Sequence, residues 1–211
     1  PPPGARRLTQ VGKAAMAAMF SSQLAYRTVK FDEKVVRAAA RHVLHVDASH
    51  GPESIVARGA RALFAELQRL QPDVRVEHLN LWEEGTRKQI EYNLDHVRSK
   101  MAMLGGSEAA EDVQRFAGIE RLAMQAASAG ALVVSAPMWN YGAPYVVKQY
   151  FDCILHPGLT FRELPSGGTE GLLGGGRLAV IVTSSGGAAG KDHLTPWLRD
   201  VAALLGFDRA A

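Results

Sequence analysis

Apolar and polar residues follow two different periods along this chain, and the two kinds of segment alternate. Short runs of aliphatic and β-branched residues bounded by turn-forming residues are typical of strands, and longer runs with apolar residues at helical spacing are typical of helices. The predicted strands are 42–49, 74–81, 131–136 and 177–185, and the predicted helices are 55–72, 113–130, one that opens at Pro144, and 194–206. This order indicates an α/β fold, a doubly wound parallel sheet with helices on both faces.

The pattern also predicts which residues of these elements are buried. The second strand has one wetter face, as expected of a strand at or near a sheet edge. The buried stripe of helix 55–72 is predicted to be Ile55, Ala62, Leu63, Leu67 and Leu70, and that of helix 113–130 to be Phe116, Ile119, Leu122 and Ala123. Helix 113–130 is expected to end at Gly130. Residues 83–111 read as a polar insertion with a helix and a loop, and 164–176 as a glycine-rich loop.

The distribution of charge divides the chain into two parts. Residues 1–41 contain eight Lys or Arg and two acidic residues, which leaves sixteen basic and nineteen acidic residues for 42–211. Residues 1–41 therefore carry a net charge of +6, and residues 42–211 a net charge of −3. Because the basic residues are concentrated in 1–41, the sequence pI of 9.2 does not indicate a nucleic-acid partner. We interpret 1–41 as a basic extension, either disordered or an organelle transit peptide, and 42–211 as one domain.

No apolar run is long enough to span a membrane. This predicts a cytoplasmic protein, or an organellar one if residues 1–41 are a transit peptide.

Ligands of doubly wound sheets bind beyond the carboxyl ends of the strands. We therefore expect the functional residues in the loops that follow these ends, which we call the strand exits. The first exit, "DASHGPES", places Ser49 and Ser54 before a helix N-terminus, which suits a phosphate. The alternative is that Ser54 only caps the helix. The loop matches neither a dinucleotide-binding glycine fingerprint nor a P-loop.

The second exit is the tetrad Met138, Trp139, Asn140 and Tyr141, followed by Pro144 at the predicted first helical position. Asn140 can donate and accept hydrogen bonds at once, and the two aromatic rings offer flat surfaces. The alternative is that the aromatic residues only pack or form an interface.

The third exit, "TSSGG", runs from Thr183 to Gly187, and its small residues would leave backbone N–H groups open to a flat ligand. The alternative is an ordinary flexible turn. Because the fold would bring the three exits to one rim, together they suggest a planar, polar-edged ring with a monophosphate tail, which describes FMN.

Cys153 is the only cysteine and is predicted to be a core residue, and the seven histidines have no metal-ligand spacing.

From about residue 42 to 207 the sequence resembles the FMN-dependent NADH:quinone oxidoreductase and azoreductase family, which has a flavodoxin-like fold. The segments that carry the resemblance are "APMWNYGAPYVVKQYFD", "PGLTFRE", "EGLLGGGRLAVIVTSSGG" and "LTPWLRDVAALLGF". The resemblance implies a ping-pong enzyme that passes two electrons from NADH or NADPH through bound FMN to a quinone or azo compound. It also implies a homodimer with no dedicated acid or base residue and no metal.

The resemblance assigns roles to individual residues. Met138, Trp139, Asn140 and Tyr141 correspond to the segment around the isoalloxazine ring, and Ser49 and Ser54 to the phosphate loop. Ser184, Ser185, Gly186 and Gly187 correspond to the loop at the pyrimidine end of the ring, where the two glycine amides would stabilise negative charge on the reduced ring.

The sequence departs from the family pattern in three ways. Its phosphate loop is short, and Val56 stands where a second serine is expected. Glu163 follows "TFR" where an aromatic residue is common. After Phe207 the chain reads "DRAA", so the final strand and helix are expected to be missing. These departures keep two alternatives open: a non-catalytic, flavodoxin-like electron-transfer module, and a degenerate homologue that holds no flavin.

Overall fold

The computed structural model describes residues 41–107, 109–174, 177–184, 190–207 and 209–210. The strands are β1 (His42–Asp47), β2 (Arg75–Asn80), β3 (Ala131–Pro137), β4 (Phe161–Glu163), β5 (Thr169–Gly171), β6 (Leu178–Ser184) and β7 (Arg209–Ala210). The helices are α1 (Ile55–Leu70), α2 (Glu84–Gln89), α3 (Leu94–Leu104), α4 (Ala110–Ser128), α5 (Tyr145–Ile154) and α6 (Leu194–Leu205). The predicted α/β alternation is therefore confirmed.

The main sheet is parallel and has the strand order β2-β1-β3-β6-β7. The chain runs outward from β1 to β2 and then returns past β1 to β3, so β1 and β3 are neighbours at the switch point. This order is that of a flavodoxin-like sheet, which confirms the predicted fold class. The predicted edge position of the second strand is also confirmed, since β2 pairs only with β1 within the described residues.

One face of the sheet is closed by helices. Side chains that alternate inward on β1 and β3 are almost wholly buried there, with Leu44 and Val46 fully inaccessible, and they pack with residues of α4, α5 and α6. The predicted buried stripe of α4 is confirmed at all four positions. That helix ends at Ser128 and is capped by Ala129 rather than by Gly130, because the chain is already extended at Ala129.

The other face carries α1, whose predicted stripe is partly wrong. Ile55 and Leu70 are 67% and 62% exposed, and Ala62 is also exposed. Leu63 and Leu67 are partly buried, and the residues that are buried lie beside them on the helix: Val56, Ala57, Ala60 and Phe64. The helix packs mainly against β3 and β6, where a Cβ on Gly59 would lie 3.2 Å from a methyl group of Val182.

The segments with the weakest patterns contain more structure than the sequence indicated. The polar insertion holds two helices, α2 and α3, and the glycine-rich loop contains strand β5, which pairs with β4 in an antiparallel hairpin. Glu163 ends β4 and is exposed. A Cβ on Gly171 would lie 2.1 Å from the backbone nitrogen of Gly206, so the hairpin and the end of α6 touch through their backbones.

The expectation that the final strand is missing needs correction. Arg209 and Ala210 pair in parallel with Leu178 and Ala179 of β6, so residues of a fifth strand are present in the sheet. No helix in the described part of the chain is both long and apolar enough to cross a membrane.

Candidate functional site

The β1 exit forms a tight loop ahead of α1. The carboxylate of Asp47 accepts the backbone N–H of Ser49 at 2.9 Å, which turns the chain back over the sheet. The hydroxyl of Ser54 accepts a hydrogen bond from the backbone N–H of Ala57 at 3.1 Å and caps α1. This confirms that Ser54 is a helix cap, which the sequence offered as the alternative to a phosphate contact. The cap uses only one lone pair of this hydroxyl and leaves its proton free. Val56 is buried and adds no hydroxyl, so a phosphate role for Ser49 and Ser54 stays a prediction.

The β3 exit forms a two-residue reverse turn at the tetrad. Trp139 and Gly142 exchange both backbone hydrogen bonds, at 3.0 and 2.9 Å, and the two residues between them have positive φ, 50° at Asn140 and 68° at Tyr141. These are the features of a type I′ turn, which normally favours Asn followed by Gly. A tyrosine in the left-handed region costs roughly 1 kcal/mol or more. Pro144 is the N-cap of α5 rather than its first helical residue, which corrects the sequence prediction.

The turn is held from the side of β6 and α6. The backbone N–H of Met138 donates to the carbonyl of Ser184 at 3.1 Å, and the N–H of His193 donates to the carbonyl of Tyr141 at 3.0 Å. Lys191 places its ammonium 5.4 Å from the centre of the Tyr141 ring. Ser184 therefore lies next to the tetrad, as predicted, whereas Ser185, Gly186 and Gly187 lie outside the described residues.

Trp139 connects the turn to the first exit. Its ring centre lies 6.4 Å from that of His50 and 5.7 Å from that of Trp82. The indole N–H of Trp82 donates to the carbonyl of Ala48 at 2.9 Å, which fixes this aromatic group above β1. The structure thus brings Ser49, the tetrad and Ser184 to the same rim of the sheet.

Two open cavities meet at Trp139. The first, of about 590 Å³, lies on the α1 side and is lined by His45, Asp47, Ser49, His50, Gly51, Pro52, Ala57, Ala60, Arg61, Phe64, His78, Asn80, Trp82 and Trp139. The second, of about 770 Å³, lies on the α5 side and is lined by Tyr92, Trp139, Asn140, Gly142, Ala143, Pro144, Tyr145, Lys148, Gln149 and Asp152. Both volumes are within the usual range for small-molecule sites, about 300–1,000 Å³.

The polar floor of the first cavity was not predicted from the sequence. His78 and Asn80 were interpreted only as the wet side of an edge strand, although their spacing of two places them on one face with Val76. Pairing in register sets His45 opposite His78 and Asp47 opposite Asn80. The sequence signal for this floor is that both strands change from apolar to polar residues at positions that pair with each other, at His45 in β1 and His78 in β2.

A hydrogen-bonded network runs beneath this cavity. His45 shares a hydrogen bond of 2.9 Å with His78 through their Nδ1 atoms, and another of 2.8 Å through its Nε2 with the Ser135 hydroxyl. Burial lowers the pKa of His45 to about 4, a change that the nearby Asp47 carboxylate opposes and His78 reinforces. His45 is therefore neutral at physiological pH and orders the floor without adding charge.

Cys153 has the structural role that its sequence context predicted. Its thiol is buried and donates to the carbonyl of Ile90 at 3.3 Å. Burial raises the pKa of this thiol to about 12, so it carries no thiolate at neutral pH. Within the described ranges, no group of three His, Cys, Asp or Glu side chains is placed to hold a metal ion.

Comparison with known proteins agrees with this geometry. A family model described as "Flavodoxin-like fold" matches residues 41–211. The FMN-dependent NADH:quinone oxidoreductase 1 of Bradyrhizobium diazoefficiens is 36% identical over 173 residues, which cover 78% of this chain and 81% of the relative. The FMN-dependent NADH:quinone oxidoreductase 5 of Burkholderia lata is 34% identical over 172 residues, 79% of this chain and 80% of that protein.

This chain belongs to the flavodoxin-like family of FMN-dependent NADH:quinone oxidoreductases. Among solved structures, an FMN-dependent NADH-azoreductase from Bacillus anthracis in complex with FMN superposes with a TM-score of 0.70 at 19% identity, covering 81% of this chain and 85% of that one. Another azoreductase from Bacillus anthracis gives a TM-score of 0.68 at 23% identity, with 80% and 84% covered. At these identities the superpositions establish the fold, and the family rests on the sequence relatives.

The described residues fit the cofactor for which the family is named. Within the described part of the chain, the backbone N–H groups of Asn140 and Tyr141 and the side-chain amide of Asn140 have no hydrogen-bond partner. A helix N-terminus with two serine hydroxyls lies on the same rim. Unpaired donors and acceptors beside flat aromatic surfaces suit a polar-edged ring, and the helix N-terminus suits a phosphate.

Proposed function

We propose that this protein is an FMN-dependent oxidoreductase that transfers two electrons from NADH or NADPH to a quinone or azo acceptor. When bound, FMN would supply the redox chemistry, accepting a hydride from the nicotinamide in one half of a ping-pong cycle and reducing the acceptor in the other. The observation that carries the proposal is the Asn140–Tyr141 turn, whose hydrogen-bonding groups are unpaired among the described residues and lie between the first strand exit and the end of β6.

The chain's own residues would hold and orient the cofactor. Ser49 and Ser54 with the first amides of α1 offer donors to a phosphate dianion, and the positive end of the helix dipole adds to this attraction. Asn140 would pair with the hydrogen-bonding edge of the ring. Met138 and Ser184, which are bonded through their backbones, would support the ring from the sheet side.

The second cavity is the natural place for an acceptor. Its aromatic walls, Trp139 and Tyr145, would stack against a quinone or an aromatic azo compound while excluding water from the ring. Lys148 and Asp152 also line this cavity, where they form an ion pair with each other. We also expect a homodimer, because exposed aromatic side chains such as Trp139 and Tyr145 line this opening.

The test is flavin binding and turnover by the full chain. We expect the purified protein to show the visible flavin spectrum, or to gain it on addition of FMN, and to oxidise NADH faster when a benzoquinone is present. A colourless protein that takes up no FMN would exclude both this function and the electron-transfer module. Bound flavin without benzoquinone-dependent NADH oxidation would favour the electron-transfer module.

A single substitution tests the placement of the site. Asn140→Gly removes the side-chain amide and keeps the turn, because glycine adopts φ of 50° without strain. We therefore expect the Kd for FMN to rise about tenfold, the usual cost of one good hydrogen bond. Gln114→Ala is the control, because it removes an exposed amide of α4 that lines neither cavity. Equal FMN affinity in the two variants would show that Asn140 does not contact the cofactor.

A further inference from the structure

The first cavity extends well beyond the phosphate loop, along a groove between α1 and the edge of the sheet. One wall of the groove is Ala57, Ala60 and Phe64 of α1, and its floor is the polar part of β1 and β2. The groove exists because α1 packs mainly over β3 and β6, which leaves the upper half of β1 and β2 uncovered on this face. None of these floor and wall residues is needed to hold a phosphate at the helix N-terminus.

The floor has hydrogen-bonding capacity that the protein does not use. Asp47 spends one carboxylate oxygen on the Ser49 N–H, and Asn80 spends its side-chain oxygen on the Trp82 N–H at 2.9 Å. Among the described residues, the second oxygen of Asp47, the amide nitrogen of Asn80 and Nε2 of His78 have no partner. A carboxylate acceptor beside an amide donor is the pairing that binds the vicinal hydroxyls of a ribose.

The walls of the groove add an aromatic surface and a cation. Trp82, His50 and Trp139 form a continuous aromatic side, which suits a planar base. Arg61 crosses the mouth of the groove, where one guanidinium nitrogen donates to the carbonyl of Pro52. Its remaining N–H groups are available to an anionic linker such as a pyrophosphate. Trp139 also borders the second cavity, so the groove and the Asn140 turn lie on either side of the same ring.

We propose that this groove binds the adenosine half of the NAD(P)H co-substrate. The ribose hydroxyls pair with Asp47 and Asn80, the adenine lies against Trp82 and His50, and Arg61 offsets the charge of the pyrophosphate. The nicotinamide half then reaches the Asn140 turn past Trp139. This inference rests on the proposed function, and it adds a preference for NADH, because the Asp47 carboxylate repels a phosphate on the 2′-hydroxyl of NADPH.

The tail of FMN offers similar chemistry, a polyol that ends in a phosphate, so the experiment must separate the two ligands. Asn80→Asp keeps the acceptor for the Trp82 N–H but replaces the free donor by a second negative charge next to Asp47. We expect the KM for NADH to rise about tenfold in this variant. Activity with reduced nicotinamide mononucleotide, which lacks the adenosine half, and the Kd for FMN should both remain as in the unmodified protein. Gln114→Glu, the same chemical change on the exposed face of α4, is the matched control.

Two direct measurements complete the test on the full chain loaded with FMN. ADP-ribose should bind in a calorimetric titration, compete with NADH, and bind about tenfold more weakly to the Asn80→Asp variant. The ratio of kcat/KM for NADH over NADPH should fall in Asp47→Asn, which keeps the acceptor for Ser49 but removes the charge.

Three results would overturn the inference. These are no binding of ADP-ribose, an equal loss of activity with NADH and reduced nicotinamide mononucleotide in Asn80→Asp, or a weakened Kd for FMN in that variant, which would assign the groove to the flavin tail. Failure of the proposed function is read separately, from the absence of a flavin spectrum. The ADP-ribose titration of the same colourless protein would still report on the groove.

Discussion

The two faces of the parallel sheet differ in how they use the same strands. On the face covered by α4, α5 and α6, alternate residues of β1 and β3 are aliphatic from Leu44 and Leu132 up to the rim, and Leu44 and Val46 are fully buried. On the face covered by α1, the lower half is aliphatic and the upper half carries His45, Asp47 and Ser135. The closed face stabilises the fold, whereas the open face gives up burial to line a cavity at the rim.

This difference shows how one sheet can serve both stability and binding. Buried polar groups are tolerated only when they are hydrogen-bonded, and the His45 network satisfies that condition within the sheet. Among the described residues, the groups nearest the rim, Asp47 and Asn80, retain free hydrogen-bonding capacity, and both line the first cavity. A face that was aliphatic throughout would be more stable but would offer a ligand nothing to recognise.

Matched truncations on the two faces should give the largest contrast in stability. Phe151 is 1% exposed within the closed core, and Phe64 is 8% exposed beside the open cavity. Phe151→Ala should lower the free energy of unfolding by about 3–5 kcal/mol, the usual cost of a large core cavity, and Phe64→Ala by roughly 2 kcal/mol, because solvent can enter the space left behind. Urea unfolding followed by circular dichroism measures both values.

For ligand binding the expected order is reversed, so that Phe64→Ala should have the larger effect. Phe64 contacts His45 and His78 edge-on, with ring centres 4.7 and 5.5 Å away, so its loss should disturb the cavity floor. NADH should therefore bind more weakly to Phe64→Ala than to Phe151→Ala under conditions where both are folded. Equal unfolding free energies for the two variants would mean that the two faces are equally closed.

The pH dependence of stability should depend on two buried histidines. Burial lowers the pKa of both His45 and His156 to about 4, from an ordinary value of 6.5, and Lys100 further lowers that of His156. The unfolded chain takes up these protons first, so stability is complete above pH 6.5 and is lost as the pH falls toward 4, by at most about 3 kcal/mol for each group. Unfolding free energies measured between pH 7.5 and 4 should show this loss.

Substitution separates the two histidines. Among the described residues, His156 makes no side-chain hydrogen bond and its ring contacts the backbone of Pro157, whereas His45 makes two side-chain hydrogen bonds. At pH 7, His156→Leu should therefore be neutral or stabilising, and His45→Leu should cost about 1–2 kcal/mol, because it leaves Ser135 and His78 unpaired. Both variants should lose less stability in acid than the unmodified protein, and an unchanged acid slope in either would contradict the assignment.

The sequence predicted best where burial is complete. The stripe of α4 was correct at Phe116, Ile119 and Leu122, because that helix packs squarely on the closed face. The stripe of α1 was wrong at Ile55 and Leu70, because a helix beside an open groove buries a narrower arc and leaves apolar residues at its ends in solvent.

The candidate site was predicted by residue type but not by conformation. The tetrad, Ser49 and Ser184 do meet at one rim, as the order of strands implied. The left-handed turn could not be foreseen, because "NY" lacks the glycine that normally signals it. The polar floor of the groove arises from the register of β1 against β2, which a single sequence does not specify.

The smallest expected effect concerns the rim where the two faces meet, and it isolates backbone strain from side-chain function. Tyr141→Ala and Tyr141→Gly both remove the ring, but only glycine occupies φ of 68° without strain. The glycine variant should therefore be more stable than the alanine variant by up to about 1 kcal/mol, since its greater freedom in the unfolded chain offsets part of the relief. Quinone-dependent NADH oxidation should fall to the same extent in both. If the alanine variant is the more stable one, the turn is not strained at Tyr141. If instead activity survives in the glycine variant alone, the site requires the turn's backbone rather than the tyrosine ring.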